Sequence, residues 1–218
     1  MSRPNKNEKA QEIDEIFDFL VVAEKLKTVK RDNLKSNGKL ESDADHSWMM
    51  ALMAILFESK IKSKVDMGRV MKLIAVHDLA EAEAGDVPLY MQVDNSDVKK
   101  VKEEAELKAI KKISAVLPED LGDEIYGLWE EYEKKKTPEA RYVKALDKLE
   151  AGFQALMFDD IKYWGRYGDG RVYYDIVLKD KKKPHWEHEE ELAAFGEKLK
   201  AVTCEKMTEA GMELAEYE

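Results

Sequence analysis

The chain reads as an all-α protein. Apolar residues recur at three- and four-residue spacing along most of it, and strand-type alternation of useful length is absent. Only 5 Pro and 11 Gly interrupt 218 residues, which leaves little room for long irregular loops. Hydrophobic residues at 44% and charged residues at 38% suit a helix-rich globular chain, and the length suits one domain with a proper core.

Composition also narrows the function. A net charge of -10 argues against nucleic-acid duplexes, which require a basic face. A small phosphorylated substrate stays open, because one or two arginines and a metal can hold a single phosphate. The single Cys204 excludes an intramolecular disulfide framework and fits a reducing compartment. No apolar run is long enough to span a membrane and the first residues do not read as a signal peptide, so a cytoplasmic location is expected.

Residues 1–8 are polar and read as frayed. A first helix is expected from about Lys9 to about Lys27, with Ile13, Ile16, Phe17 and Leu20 on its apolar stripe. Thr28 to Gly38 is rich in turn residues and reads as a loop carrying Arg31. In Glu41-Ser-Asp-Ala-Asp-His46, Ser42 and Asp45 form a capping box, so a second helix starts at Asp43 with His46 in its first turn. Trp48, Met49, Leu52, Ile55 and Leu56 make that helix apolar nearly all round, which marks it as central.

Asp66 caps the next helix, which runs into Leu73-Ile-Ala-Val-His-Asp-Leu-Ala-Glu-Ala-Glu-Ala-Gly-Asp-Val-Pro88. Val70, Ile74, His77, Asp78 and Glu81 share one helical face; Gly85 supplies a stop and Pro88 prevents resumption. Leu89 to Asn95 reads as an irregular loop. Ser96 then caps a long amphipathic helix with Val98, Val101, Ala105, Ala109 and Ile113 inward. Lys99, Lys100, Glu103, Glu104, Lys108 and Lys111 form its solvated side. Pro118 opens a helix that buries Leu121, Ile125, Leu128, Trp129 and Tyr132.

Thr137-Pro138-Glu139 starts another helix with a cap, a first-turn proline and an acid at the positive dipole end. It continues through Tyr142, Val143, Leu146, Leu149, Phe153 and Leu156. Asp159 to Gly170 is a glycine- and aromatic-rich loop without the GxxxxGK pattern, and Val172 to Lys183 has no clear pattern. A final helix is expected from about Trp186. His185 and His188, among lysines and glutamates, read as solvated.

The chemical oddity lies in the apolar stripes. Burying an imidazole and several carboxylates without partners costs several kcal/mol, which a metal ion, a cation or a catalytic pocket resolves. A His–Asp pair such as His77-Asp78 is also common as a surface or hydrogen-bonded core pair, so it does not decide alone. His46 is either a helix-start histidine bonded to a backbone carbonyl or a ligand aimed at that pair. Asp147 has poor propensity mid-helix and no capping excuse; it is either solvated beside Lys144 and Lys148 or inward. Together, His46, His77, Asp78 and Asp147 suit one divalent ion (Mn, Co, Fe, Zn or Mg) with open positions for water.

The spacing H…HD…D, with the adjacent pair ending an apolar helix, resembles the HD-domain metal-dependent phosphohydrolases. Arg31, then Glu41-Ser-Asp-Ala-Asp-His46, then His77 to Pro88, then Ala145-Leu-Asp147-Lys-Leu-Glu150 resembles the 5′-deoxynucleotidase branch, over roughly residues 10–160. The resemblance implies an HD-domain helical bundle that removes phosphate from deoxyribonucleoside 5′-monophosphates, often as a homodimer. Carried over by position, His46, His77, Asp78 and Asp147 are the metal ligands. Glu81 and Asp86 serve acid/base chemistry, and Arg31 holds the phosphate. Bacterial members commonly carry an aromatic residue after that arginine; here it is Asp32, which leaves sugar and base preference open. The whole chain is expected to be a single HD domain, with residues 161–218 as a mainly helical extension.

Two rival readings are compatible with the same residues. One is an HD hydrolase of another nucleotide, of the pyrophosphatase or guanosine tetraphosphate type; it would want several basic residues at the pocket, where Arg31 alone stands out. The other is a non-catalytic helical adaptor with a structural metal, which would have no need of Glu81 and Asp86.

Overall fold

The computed structural model describes residues 6–87, 96–158, 185–209 and 211. The loops expected at 89–95 and 159–170, the segment 172–183 and Pro88 lie outside these residues. Helix α1 spans Lys6–Ala23 and passes into a 3-10 turn, Glu24–Lys27. It lies at the edge of the bundle against α4 (Glu81–Ala84) and α5 (Ser96–Ser114). The expected stripe is therefore only partly inward: Ile16, Phe19, Val22 and Leu26 are half-buried, whereas Ile13, Phe17 and Leu20 stay exposed.

The segment read as a loop is a small hairpin. β1 (Lys30–Leu34) pairs antiparallel with β2 (Leu40–Ser42), Lys30 opposite Ser42 and Leu34 opposite Leu40. Two strands this short and polar leave no alternation to read. Their effect is to put Arg31 on a strand, beside the residues that lead into the next helix.

Helix α2 (Asp43–Phe57) starts as expected, with Ser42 and Asp45 capping each other. It buries Met50, Met53 and Ala54 but leaves Trp48, Leu52, Ile55 and Leu56 exposed, so it is central on one face only. Helix α3 (Met67–Val76), capped by Asp66, ends earlier than its apolar pattern does. Between α3 and α4 the amides of Leu79 and Glu81 bond three residues back, to Val76 and Asp78. The single helix expected across His77 to Glu81 is thus two helices around a tightened turn. Such overwinding in mid-helix accompanies functional positions. Gly85 ends α4 at φ 76°, a conformation that costs glycine little.

In α5 the inward face begins late. Ala109, Ile110 and Ile113 are buried, but Val101 and Ala105 are exposed, and Lys102 and Glu106 turn in instead. Helices α6 (Glu119–Lys134) and α7 (Pro138–Ala155) follow their predicted starts. Helix α8 begins at Glu190 rather than Trp186 and runs to Glu209; Trp186 is buried in the turn before it.

Helix α7 is the element the others share. α2, α3, α6 and α8 all pack on it, and so does β1. Val143, Leu146 and Leu149 are fully buried and share one core with Val70, Leu73, Met50 and Leu192. Tyr142 donates to the carbonyl of Ala54 at 2.9 Å, which fixes α7 along α2. Full burial of side chains of this kind contributes roughly 1.5–3 kcal/mol each, so the face of α7 that carries Asp147 and Glu150 is held rigidly.

Candidate active site

The start of α2, the turn between α3 and α4 and the middle of α7 bring their polar residues to one buried place. His77 donates from Nδ1 to the carbonyl of Ile74, one turn back, at 2.8 Å. His46, fully buried, donates from Nδ1 to the Glu150 carboxylate. A neutral imidazole that donates through Nδ1 keeps its lone pair on Nε2. Both Nε2 atoms are buried and have no hydrogen-bond partner among the described residues. They face carboxylates: His77 Nε2 is 3.1 Å from Asp78 Oδ2, and His46 Nε2 is 3.5 Å from Asp147 Oδ1.

Asp147 is turned inward by three donors on its other oxygen. Tyr132 Oη, Lys144 Nζ and Lys148 Nζ lie 2.7, 2.9 and 3.0 Å from Oδ2. Burial works against its charge, but Lys144 and Lys148 outweigh this and hold its pKa well below the usual range. The lysines that allowed a solvated Asp147 in the sequence are the groups that fix it inside.

Arg31 reaches from β1 across the same cluster. One of its terminal nitrogens is 2.9 Å from Asp78 Oδ2 and 3.5 Å from Asp43 Oδ1, and its Nε is 3.6 Å from Glu41 Oε2. Glu81, first residue of α4, is buried; its Oε1 lies 3.2 Å from Lys102 Nζ, while Oε2 has no partner among the described residues. Asp86, just past Gly85, is half-buried. Burial raises its pKa, partly offset by Arg31 and Lys102.

Carboxyl groups outnumber cations here. Glu41, Asp43, Asp78, Glu81, Asp86, Asp147 and Glu150 face Arg31, Lys102, Lys144 and Lys148. Burial and the neighbouring acids push Glu41 to about 8, Asp43 to about 7 and Glu81 to about 9. Burial and Arg31 pull His46 down, but Glu150 and Asp147 prevail and raise it to about 10. Protons balance the excess negative charge in this state, and a divalent cation can take their place. The donor set fits one. Ligand atoms of His46, His77 and Asp78 lie within 4.8 Å of one another, and so do those of Asp43, Asp78 and Glu81. Asp147 adjoins the first group through His46. Imidazole with carboxylate suits a first-row divalent ion.

All the residues singled out in the sequence as site candidates converge on this cluster. Several neighbours were not foreseen. Glu150 sits three residues after Asp147 on the same face, a spacing that could have flagged it. Lys102 and Glu106, four apart in line with Ile113, could have been read as an inward pair. Arg31 is not the one cation at the site, since three lysines join it. His185 is half-buried, and burial with Lys148 and Lys144 pushes its pKa down to about 4, contrary to a solvated reading. His188 is exposed.

A family model described as an HD domain matches residues 23–193. 5′-Deoxynucleotidase HDDC2 of Homo sapiens is 36% identical over 150 residues, 68% of this chain and 70% of that protein. The Danio rerio protein of the same name is 34% identical over 197 residues, 85% of this chain and 94% of its own. A crystal structure from Magnetospirillum magnetotacticum MS-1, described as a predicted metal-dependent phosphohydrolase, superposes with a TM-score of 0.73 at 30% identity. It covers 90% of this chain and 97% of that one.

Proposed function

The chain belongs to the HD-domain family, and on that premise we propose that it is a metal-dependent 5′-nucleotidase, releasing phosphate from (deoxy)ribonucleoside 5′-monophosphates. The observation that carries this reading is the matched pair of imidazoles. His46 and His77 both present a buried Nε2 beside Asp78 and Asp147, with Arg31, Glu81 and Asp86 around them.

His46, His77, Asp78 and Asp147 would hold the ion, which supplies positive charge to the phosphate and acidifies water beside it. Arg31 receives the phosphate oxygens. Glu81, once it has given up the proton it holds in the metal-free state, would orient the attacking water and take its proton through the unpartnered Oε2. As the water oxygen bonds to phosphorus, the bond to the 5′-oxygen breaks, and Asp86 gives that oxygen its proton. The products are orthophosphate and a nucleoside. Lys102, Lys144 and Lys148 are engaged by Glu81, Glu106 and Asp147, so they do not add up to a triphosphate cradle.

We read the whole chain as one HD domain, because Leu192 and Leu199 of α8 join the core shared with α7. A cytoplasmic homodimer that does not bind nucleic acid completes the proposal. Cys204 fits a reducing compartment, no helix among the described residues is long and apolar enough to cross a membrane, and the chain is acidic. Trp48, Leu52, Ile55 and Leu56 on one helix and Ile13, Phe17, Leu20 and Val21 on another are exposed, and clustered apolar side chains of this kind favour a partner surface. The substrate reading is tested by measuring phosphate release from nucleoside mono-, di- and triphosphates with added Mn or Co. Release confined to 5′-monophosphates supports it; a preference for triphosphates refutes it.

A further inference from the structure

Helix α5 lies outside every motif, and Lys99, Lys100, Glu103, Glu104, Lys108 and Lys111 read as its solvated side in sequence. Lys99 and Lys100 are solvated, with side chains 67% and 76% exposed. Lys102 is not: its side chain is 18% exposed, and its ammonium bridges Glu106 and Glu81 Oε1. We propose that Lys102 is the positioning residue for Glu81, a role that rests on the reading of Glu81 as the residue acting on water.

Helix α4 is frail. It is a four-residue helix between an overwound turn and a glycine at positive φ, so its own hydrogen bonds fix little. Its carboxylates are held from outside. Glu83 accepts from Lys25 at 2.6 Å and from Lys112, and Glu81 accepts from Lys102 at 3.2 Å. Two α5 lysines therefore hold both acids of α4. With Oε1 occupied by Lys102, the Glu81 carboxylate has one oxygen left. That Oε2 is buried, unpartnered among the described residues, and belongs to a group close to Asp43 and Asp78. Lys102 thus chooses which oxygen faces the reacting centre and where it stands. Glu106 keeps the ammonium in place, since without it the long side chain would keep several rotamers. Burial opposes the charge on Lys102, but Glu81 and Glu106 outweigh it and raise its pKa, so it holds Glu81 as a full cation.

The test is a double-mutant cycle on the metal-loaded protein, with kcat and KM for a nucleoside 5′-monophosphate, metal content and thermal unfolding read together. Lys102→Met should lower kcat about 10–100-fold, the penalty for misplacing a reacting group by about 1 Å. KM and metal content should hold, and Lys102→Arg should restore most of the loss. In a Glu81→Gln background the same Lys102→Met change should cost nothing further. Lys102→Gln serves the cycle if the methionine variant does not fold. Full kcat in Lys102→Met, or an equal loss in both backgrounds, overturns the proposal. A rise in KM at constant kcat overturns it too, by making Lys102 a substrate contact. Full turnover in Glu81→Gln removes the base reading itself, and the role of Lys102 with it.

Discussion

His46 and Glu150, 104 positions apart in sequence, share a buried hydrogen bond that decides which nitrogen of His46 faces the cluster. With Nδ1–H held by the carboxylate, Nε2 is the nitrogen that offers a lone pair once His46 gives up its second proton. Such partners orient a ligand and raise its basicity, and losing one typically costs about 10–100-fold in metal affinity. Glu150→Gln should therefore bind Mn weaker by that factor in calorimetric titration of metal-stripped protein. Unchanged affinity would make the bond a packing feature only.

The metal-free protein should lose stability as pH rises. Glu41, Asp43 and Glu81 go from ordinary values of 4.5, 3.8 and 4.5 to about 8, 7 and 9, and His46 goes from 6.5 to about 10. Each binds its proton more tightly when folded, so its contribution is complete below the ordinary value and is lost as pH climbs through the folded one. Asp78 and Asp147 are shifted down, and their contribution is lost only as pH falls below 3.8. A bound ion displaces the protons of the first set. The gap in Tm between Mn-loaded and stripped protein should widen from about pH 5 to about pH 9. A constant gap would contradict the charge balance described above.

Arg31 is expected to read the phosphate as a planar fork rather than as a point charge. Arg31→Lys should lower kcat/KM about thirtyfold, roughly 2 kcal/mol. If Arg31→Ala left nucleotide hydrolysis untouched, Arg31 would only be an ion-pair partner of Asp78, Asp43 and Glu41.

The exposed apolar face of α2 should be where two copies meet. Ile55→Glu combined with Leu52→Glu should shift the protein to monomer in sedimentation, with the fold kept, because both side chains are already exposed. A wild type that sediments as a monomer would refute the dimer.

Legibility followed period and capping. Ser42, Asp66 and Thr137 mark helix starts through local bonds to the chain itself, and all three helices begin where those residues say. The ligand candidates stood out because ionisable groups on apolar stripes are costly. The hairpin did not, since its polar strands are too short to alternate. The break at His77 was hidden because the apolar pattern continues through the tightened turn. Glu41 acquires its role from partners on other elements, and local spacing gave only a hint of Glu150 beside Asp147 and of Lys102 beside Glu106.

Holding the ion and acting on water are expected to fall to different residues, Asp78 and Glu81, about one turn apart. Metal content and kcat, measured together for Asp78→Ala and Glu81→Ala, test it most directly. Asp78→Ala should lose the ion and with it the activity. Glu81→Ala should keep about one ion per chain while kcat falls about 10²–10⁴-fold, the usual share of acid–base assistance. If Glu81→Ala loses the ion as completely as Asp78→Ala does, or keeps both the ion and full turnover, the division of roles is wrong.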